Sequence, residues 1–367
     1  MPIKTAYSTK ALPDAVIELK NRCGDCVPRA VLFFSSSARY DAAALSRQMH
    51  QAFPGACVTG CSTAGEIAGG GMRTGSVAAM FLDDEIVADA ASVVVERIGS
   101  ELPVEPALRK LERHFQAPVS SWDLDTHVGL VLADGLSGAE ERLMEKLGDA
   151  TDVAFVGGSA GDDLKFERTY VMDRGNCYSD AAALLVLRLK RGFEIVKTQS
   201  FQPAGKTLVA TKVDERSRTV IEFNGRPALD AYAEALGVTP ELAPSLFFEN
   251  PLGLMIEREP FVRSPQRAEQ GSIVFYCHIK EDTELALLRA TDIVSDTRMA
   301  VEGRNAVGKI RGLIDFQCIL RTLQLRKEGK GDEYGAVFEG IPAIGFSTYG
   351  EAYLGHMNQT STMLLFR

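Results

Sequence analysis

Two stretches of this sequence repeat the same turn in the same register. They read Gly60-Cys-Ser-Thr-Ala-Gly-Glu66 and Gly345-Phe-Ser-Thr-Tyr-Gly-Glu351, and they share the pattern G-x-S-T-x-G-E. A third stretch, Gly157-Gly-Ser-Ala-Gly-Asp162, keeps the same succession of residue types and is one residue shorter. We call these segments the first corner (60–66), the last corner (345–351) and the middle corner (157–162). Glycine allows a positive φ where a strand ends abruptly, so each corner predicts a sharp turn after a buried strand.

The residues before each corner predict a strand, a helix and a second strand. Apolar runs indicate the strands, and apolar residues four apart, such as Leu45 and Met49, indicate a helix. The predicted elements are Ala30–Phe34, Asp41–Gln51 and Ala56–Gly60 before the first corner, His127–Leu132, Ala139–Leu147 and Val153–Val156 before the middle corner, and Leu313–Ile319, Arg321–Lys327 and Ile344–Phe346 before the last corner. Further strands follow the corners at Val77–Leu82, Ala182–Leu189 and Thr360–Phe366.

This order predicts an α/β fold of the mixed α+β kind. Its large mixed sheets are flanked by helices and built from pseudo-repeated strand–helix–strand units. Because the first and last corners match best, we expect strands from both ends of the chain to share one body.

Length and composition restrict the class of protein. A chain of 367 residues suggests two domains or three, and 46% hydrophobic residues suffice for a sizeable core. The net charge of −9 argues against nucleic-acid binding and against electrostatic docking on anionic lipid. No apolar run is long enough for membrane insertion. Seven scattered cysteines favour a reducing compartment, so we expect a cytoplasmic protein.

Two motifs are typical of catalytic or metal-binding sites. Gly157-Gly-Ser159-Ala-Gly161 matches the G-x-S-x-G nucleophile elbow of serine hydrolases, but the residues after it lack the helical period that the elbow needs. Cys23-Gly-Asp-Cys26 has the spacing of half a zinc or redox site, and Cys57 with Cys61 would complete four thiolates. The second cysteine pair flanks a strand that should be buried, which argues against a zinc site. A serine hydrolase that uses Ser159 stays a less favoured alternative.

The corners themselves admit two interpretations. They are three structural turns, or they converge and line one ligand pocket through their hydroxyl and carboxyl groups. On the second interpretation the candidate binding residues are Ser62, Thr63, Glu66, Ser347, Tyr349, Glu351 and Asn358. His356 lies in the same glycine- and aromatic-rich stretch, which makes it a candidate metal ligand.

The first corner, the stretch Tyr349-Gly-Glu351 and the terminal His356-Met-Asn-Gln-Thr360 together resemble the FIST sensory domain proteins. The resemblance covers residues 29–367. It implies a lead-in segment (1–28), a FIST N-like domain (29–224) and a FIST C-like domain (225–367), which meet at Asn224-Gly225. One departure is Gln317, which stands before Cys318 where the resemblance leads us to expect aspartate.

FIST proteins are intracellular signal-input modules that bind small ligands, which implies that this chain is not an enzyme. Within the family, this chain is similar to the haem-binding group that senses nitric oxide and regulates a partner histidine kinase. That similarity implies haem b as cofactor with His356 as its axial ligand, and Phe346, Tyr349, Tyr353, Met357 and the pair Phe247-Phe248 as pocket walls. The alternative is a FIST module that binds another small ligand, such as an amino acid, without haem. A homo-oligomer is compatible with either interpretation.

Overall fold

The computed structural model describes the backbone of residues 2–257, 259–353 and 356–367, and the side chains of these residues except 356 and 357. The chain forms two compact units. The first unit comprises Met1–Thr198, Thr297–His356 and Ser361–Arg367, and the second comprises Gln199–Asp296 and Met357–Thr360. Asn224-Gly225 lies inside the second unit, on the turn between two paired strands. The division into FIST N-like and FIST C-like domains at that point stays a prediction.

The first unit contains both strands and helices. The strands up to the second unit are β1 (Ile3–Ser8), β2 (Ala30–Ser36), β3 (Cys57–Thr63), β4 (Glu66–Ala68), β5 (Gly71–Arg73), β6 (Val77–Leu82), β7 (Val87–Glu96), β8 (His127–Ala133), β9 (Phe155–Ser159), β10 (Val171–Asp173), β11 (Asn176–Tyr178), β12 (Ala181–Leu189) and β13 (Phe193–Gln199). The helices among them are α1 (Asp14–Cys23), α2 (Ala42–Ala52), α3 (Val104–Phe115), α4 (Glu140–Ala150) and a 3₁₀ turn at Val119–Ser121.

The second unit is an antiparallel sheet with a helix on one face. Its elements are β14 (Phe201–Asp214), β15 (Thr219–Phe223), β16 (Arg226–Pro227), α5 (Ala228–Leu236), a 3₁₀ turn (Ala243–Leu246), β17 (Leu252–Ile256), β18 (Glu259–Arg263), β19 (Pro265–Glu269), β20 (Ser272–Phe275) and β21 (Thr283–Ala290). The strands follow the order β18-β17-β21-β14-β15-β20-β19, with β16 beside β15. Tyr232 of α5 packs on this sheet with Phe223 and Phe275.

The chain then returns to the first unit. The remaining elements are α6 (Ile293–Val307), β22 (Gly312–Cys318), α7 (Ile319–Glu328), α8 (Gly331–Gly335), a 3₁₀ turn (Ala336–Phe338), β23 (Ala343–Thr348), β24 (Glu351–Ala352), β25 (His356–Met357) and β26 (Thr360–Phe366). No helix among the described residues is long and apolar enough to cross a membrane.

The first unit is made of three repeats with the same order of elements. Each repeat runs strand, helix, strand, helix, strand, corner, hairpin and closing strand. Repeat 1 runs from β1 to β6, repeat 2 from β7 to β12, and repeat 3 from β13 through α6 to β26. The residues of the second unit stand mainly between β13 and α6. The predicted α/β class with pseudo-repeated units is confirmed.

Over the described residues, each repeat builds most of one six-stranded sheet. The sheet orders are β1-β6-β2-β3-β10-β11, β7-β12-β8-β9-β24-β25 and β13-β26-β22-β23-β4-β5. In each sheet the two strands that flank the connecting helix run parallel, as in β2 with β3. The edge hairpin of each sheet comes from a different repeat. Thus β4-β5 pairs with β23, β10-β11 pairs with β3, and β24-β25 pairs with β9.

In the part of the chain that the structure describes, a central core and further apolar cores on the outer faces hold these sheets. The central core combines side chains of all three repeats, and in it the ring centroid of Phe346 lies 4.6 Å from that of Phe34 and 5.8 Å from that of Phe316. On the opposite faces, apolar cores fill the layer beneath α1 and α2 in repeat 1 and beneath α3 and α4 in repeat 2. As the matching corners predict, strands from both ends of the chain share one body.

Some elements differ from the sequence prediction. β1 lies inside the stretch 1–28 that we expected to be a lead-in, because its buried residues Ile3 and Ala6 pair with the apolar strand β6. The stretch Leu246–Phe248 reads as a strand from its apolar residues. It is instead the end of the 3₁₀ turn Ala243–Leu246 and the residues that follow it, where Phe247 packs on Tyr232.

Candidate functional site at the three corners

The three corners meet in a closed ring of backbone hydrogen bonds. Between the first and last corners, Ala64 N donates to Ser347 O and Ser347 N donates to Gly65 O. Between the last and middle corners, Ser159 N donates to Gly350 O and Tyr349 N donates to Ser159 O. The middle corner returns to the first through Gly161 N, which donates to Ser62 O at 2.9 Å. The convergence that the shared pattern suggested is therefore present.

The leading glycine of each corner has the same structural role in all three repeats. Gly60, Gly157 and Gly345 each lie opposite a residue of the preceding parallel strand. An added Cβ at these positions would stand 2.2, 1.8 and 2.3 Å from a backbone carbonyl oxygen of that strand. A side chain larger than hydrogen would separate the two strands, so the glycines set the close approach that brings the corners together.

Glu66 is the buried acid of the first corner. It is 1% exposed, and its carboxylate accepts from Thr63 Oγ1 at 2.5 Å and from Ser76 Oγ at 2.5 Å and N at 3.2 Å. Burial raises the pKa of Glu66 to about 7, although the hydrogen bonds from Ser76 and Thr63 oppose this shift. The junction therefore contains a carboxyl group that changes its charge near neutral pH.

We expect Glu66→Gln to stabilise the protein at high pH and to have little effect at low pH. The folded pKa lies above the ordinary value of 4.5, so the favourable contribution of proton binding is complete below pH 4.5 and is lost as pH rises through about 7. At pH 8 the neutral amide avoids a penalty of up to about 3 kcal/mol. Urea denaturation at pH 5 and pH 8 measures this, and an equal effect at both values would contradict the assignment.

The last corner holds its polar side chains against neighbouring elements. Ser347 is 1% exposed, and its hydroxyl lies 2.8 Å from the hydroxyl of Thr322 on α7. Tyr349 donates from its hydroxyl to Asp162 Oδ1 at 2.5 Å, and burial raises its pKa. Glu351 is fully buried and pairs with Gly158 across the β9–β24 ladder. The last corner thus faces α7 on one side and the middle corner on the other.

Asp162 of the middle corner organises the loop that follows it. Its carboxylate accepts from the backbone N–H groups of Phe166, Glu167 and Arg168 at 2.6–2.9 Å, in addition to the hydroxyl of Tyr349. Burial alone would raise the pKa of Asp162. The hydrogen bonds to its carboxylate outweigh this effect, so the pKa of Asp162 lies below its usual value. The loop positions Phe166, which is 61% exposed, with its ring stacked on Tyr349 at 4.8 Å.

Two charged residues that sequence reasoning missed stand at the same junction. Arg326, in the last turn of α7, donates from Nη2 to Ala64 O at 3.4 Å. Burial lowers the pKa of Arg326, and the nearby carboxylates of Glu66 and Asp163 offset part of this effect. Asp163 Oδ2 accepts from Ser36 Oγ and from Ala38 N, both at 2.9 Å. A guanidinium and a carboxylate therefore flank the first corner.

The predicted binding residues fall into two groups. The structure brings six of them together at the junction, namely Ser62, Thr63, Glu66, Ser347, Tyr349 and Glu351. Their side chains are largely bonded within the protein, as with Ser62 Oγ, which accepts from Tyr170 N at 2.9 Å. Asn358 belongs to the second unit, where it is buried next to Gln359, whose side chain contacts Ser264 and Phe248. The side chain of His356 lies outside the described residues, so its role as axial ligand stays a prediction.

The residues of the nucleophile-elbow motif and of the cysteine pairs make structural contacts. Ser159 is 2% exposed and its hydroxyl donates to Glu140 Oε1 at 3.2 Å, rather than to a histidine. Cys57 contacts Ser92, whereas Cys23 contacts the backbone of Cys26, and all seven cysteines are free thiols. In the part of the chain that the structure describes, no group of three His, Cys, Asp or Glu side chains is placed to hold a metal ion.

The proposed walls of a haem pocket that the structure describes make contacts of their own within each unit. Phe346 is fully buried in the central core between Phe34 and Phe316, and Tyr349 is engaged with Asp162 and Phe166. Phe247 packs on Tyr232 within the second unit. Met357, like His356, has its side chain outside the described residues. Haem b as a cofactor stays a prediction.

In this chain three repeats of strands and helices thus converge on one polar junction. The FIST N domain matches residues 29–226 and the FIST C domain matches residues 228–353, so the chain belongs to the FIST family. It is also similar to an uncharacterized protein of Methanocaldococcus jannaschii, with 23% identity over 270 residues, which is 69% of this chain and 52% of that protein. The chain thus spans about half the length of this curated relative.

Proposed function

We propose that this chain is a sensory module that binds a small zwitterionic ligand, such as an amino acid, at the junction of the three corners. One observation carries this proposal: Arg326 and Asp163 flank the first corner with opposite charges, 163 residues apart in sequence. A guanidinium is the preferred partner of a carboxylate, and an aspartate is a suitable partner for an ammonium group. The ligand would bridge α7 and the loop that follows the middle corner.

Binding at this place gives a physical route to a signal. A ligand carboxylate on Arg326 would weaken the electrostatic support that Arg326 gives to the ionised form of Glu66. Glu66 titrates near neutral pH, so its protonation state would respond to the ligand. The corners belong to three different repeats, so a change in their hydrogen bonds would affect all three sheets.

We expect wild-type protein to be stabilised thermally by at least one member of a panel of amino acids, and Arg326→Gln to bind that ligand at least about tenfold more weakly. Isothermal titration calorimetry measures the affinity. The matched control is Arg113→Gln, because Arg113 also lies in the last turn of an exposed helix and is remote in sequence from the corners. Equal affinity in Arg326→Gln and wild type would remove the ligand from this junction.

Haem b, nitric oxide and a partner histidine kinase are supported by the family resemblance alone. An absorption spectrum of protein supplied with haem tests this part separately. A Soret band that shifts with nitric oxide and changes in His356→Ala would support haem sensing, whereas absence of haem binding would leave the amino-acid proposal standing. Inhibition or activation of a kinase by the purified protein, with and without ligand, tests the partner.

A further inference from the structure

Repeat 3 contains a buried polar layer, and the acid at its centre stands at a position where the two sister repeats have apolar side chains. Asp315 of β22 lies opposite Gly345, in the register position that Phe33 holds in repeat 1 and Val131 holds in repeat 2. Phe33 and Val131 belong to the apolar cores beneath the helices. Asp315 is fully buried instead, together with Gln317 two residues further on. The sister repeats show that the fold does not need a polar group at this position.

The layer is a connected set of hydrogen bonds. Asp315 accepts from Tyr334 Oη at 2.8 Å through Oδ2 and from Ser361 Oγ at 2.6 Å through Oδ1. Gln317 Oε1 lies 3.1 Å from Tyr334 Oη and accepts from Arg321 Nε at 3.0 Å. Both distances from Tyr334 Oη are within hydrogen-bond range, so this hydroxyl stands between two acceptors.

A tyrosine hydroxyl has one proton and can satisfy only one of those acceptors fully. When Asp315 is ionised, the proton of Tyr334 is needed by the carboxylate, and Gln317 keeps only its bond from Arg321. When Asp315 is protonated, its own O–H can donate to Tyr334 Oη, which releases the tyrosine proton toward Gln317. The same atoms at the same distances thus support two complete hydrogen-bond arrangements that differ by one proton.

We propose that Asp315 is a proton-binding switch, in which uptake of a proton reverses the Asp315–Tyr334 hydrogen bond and redirects Tyr334 to Gln317. Among the described residues, the charge that faces Asp315 comes from Arg321 on α7, and Tyr334 on α8 is a titratable group in contact with it. The neighbouring strands present Gly345, Ser361 and Met363, which do not titrate. The proton state of one side chain therefore sets whether Tyr334 of α8 makes one hydrogen bond to β22 or two, while the bond from Arg321 of α7 to Gln317 is kept.

The ionisation of Asp315 falls in a range where such a switch responds. Burial raises its pKa from 3.8 to about 6, although the hydrogen bonds from Ser361 and Tyr334 and the charge of Arg321 oppose the shift. The stability that proton binding contributes is complete below pH 3.8 and is lost as pH rises through about 6. On α7, Arg321 donates to Thr297 Oγ1 at 2.9 Å, and the adjacent Thr322 contacts Ser347 of the last corner. The switch and the candidate site thus share one helix.

The test compares urea denaturation of the full chain across pH 5 to 7 for wild type and Asp315→Asn, whose side chain imitates the protonated acid. As pH rises from 5 to 7, we expect the folding equilibrium constant of wild type to fall relative to that of Asp315→Asn. The fall should reach up to about tenfold per pH unit. The control is Asp84→Asn at an exposed position, whose profile should follow wild type. Parallel profiles for wild type and Asp315→Asn would overturn the proposal.

A second variant keeps the proposal falsifiable if Asp315→Asn does not fold. Tyr334→Phe keeps the acid and removes the hydrogen bond that favours its ionised form, so the titration of Asp315 should move to higher pH by about one unit. Infrared spectroscopy of the protonated carboxyl group follows this titration in wild type and in Tyr334→Phe. A carboxyl titration that is unchanged by Tyr334→Phe would show that Tyr334 does not exchange its proton with Asp315.

Discussion

Gly157→Ala should prevent the first unit from folding stably, with a loss of at least about 3 kcal/mol. The added Cβ would lie 1.8 Å from Val131 O and 2.7 Å from Val131 C, which are backbone atoms of the parallel partner strand. These atoms cannot move away without breaking the β8–β9 pairing, which carries the middle corner into the ring. Chemical denaturation followed by circular dichroism measures the loss.

Gly148→Ala is the matched control for this substitution. Gly148 lies on the exposed side of α4, and an added Cβ there meets no atom within 4 Å. Because alanine favours a helix more than glycine does, we expect a gain of about 1 kcal/mol. If Gly157→Ala were tolerated as well as Gly148→Ala, close strand approach would not be the reason for glycine at the corners.

The second large effect is expected for Asp162→Asn, which should destabilise the protein by roughly 2–4 kcal/mol at neutral pH. The carboxylate accepts from Tyr349 and from the N–H groups of Phe166, Glu167 and Arg168, so an amide NH₂ would place donors against donors. The lowered pKa of Asp162 adds a pH signature. Its contribution is complete above pH 3.8 and is lost as pH falls through the folded value, so wild type and variant should converge in acid.

Urea denaturation at pH 7 and at pH 3 measures both parts of this prediction. Asp149→Asn serves as control, because Asp149 is exposed on α4. A variant that lost stability equally at both pH values would indicate a packing effect instead of a lost carboxylate.

The fold could be predicted from the sequence where the pattern is local and uninterrupted. Val77–Leu82 and Thr360–Phe366 are apolar runs bounded by turn residues, and both are strands with those bounds. β1 was missed because Lys4 and Thr5 interrupt its apolar pattern, and its strand conformation depends on pairing with β6. Helix α6 was missed because charged residues such as Arg298 and Glu302 obscure its apolar period.

The candidate site, too, could be predicted where its sequence pattern is local, and could not be predicted where distant residues build it. The shared G-x-S-T-x-G-E pattern predicted that the corners are equivalent, and equivalence in a repeat fold places them together. Arg326 could not be predicted, because it is 262 residues from Ala64 and sits in a polar helix with several other cations. Likewise, nothing local marks Asp315 as buried, since its environment is assembled from Tyr334, Ser361 and Arg321.

The exchange of edge hairpins between repeats has a consequence for synthesis on the ribosome. The hairpin β4-β5 is made long before its partner β23, which ends at Thr348. Until then, the nascent chain exposes this hairpin and an unfinished sheet edge, which are sites of misassociation between incomplete chains. We therefore expect the first unit to become protease-resistant only after β23 has been made, and ribosome-bound chains that end before β23 to depend on chaperones.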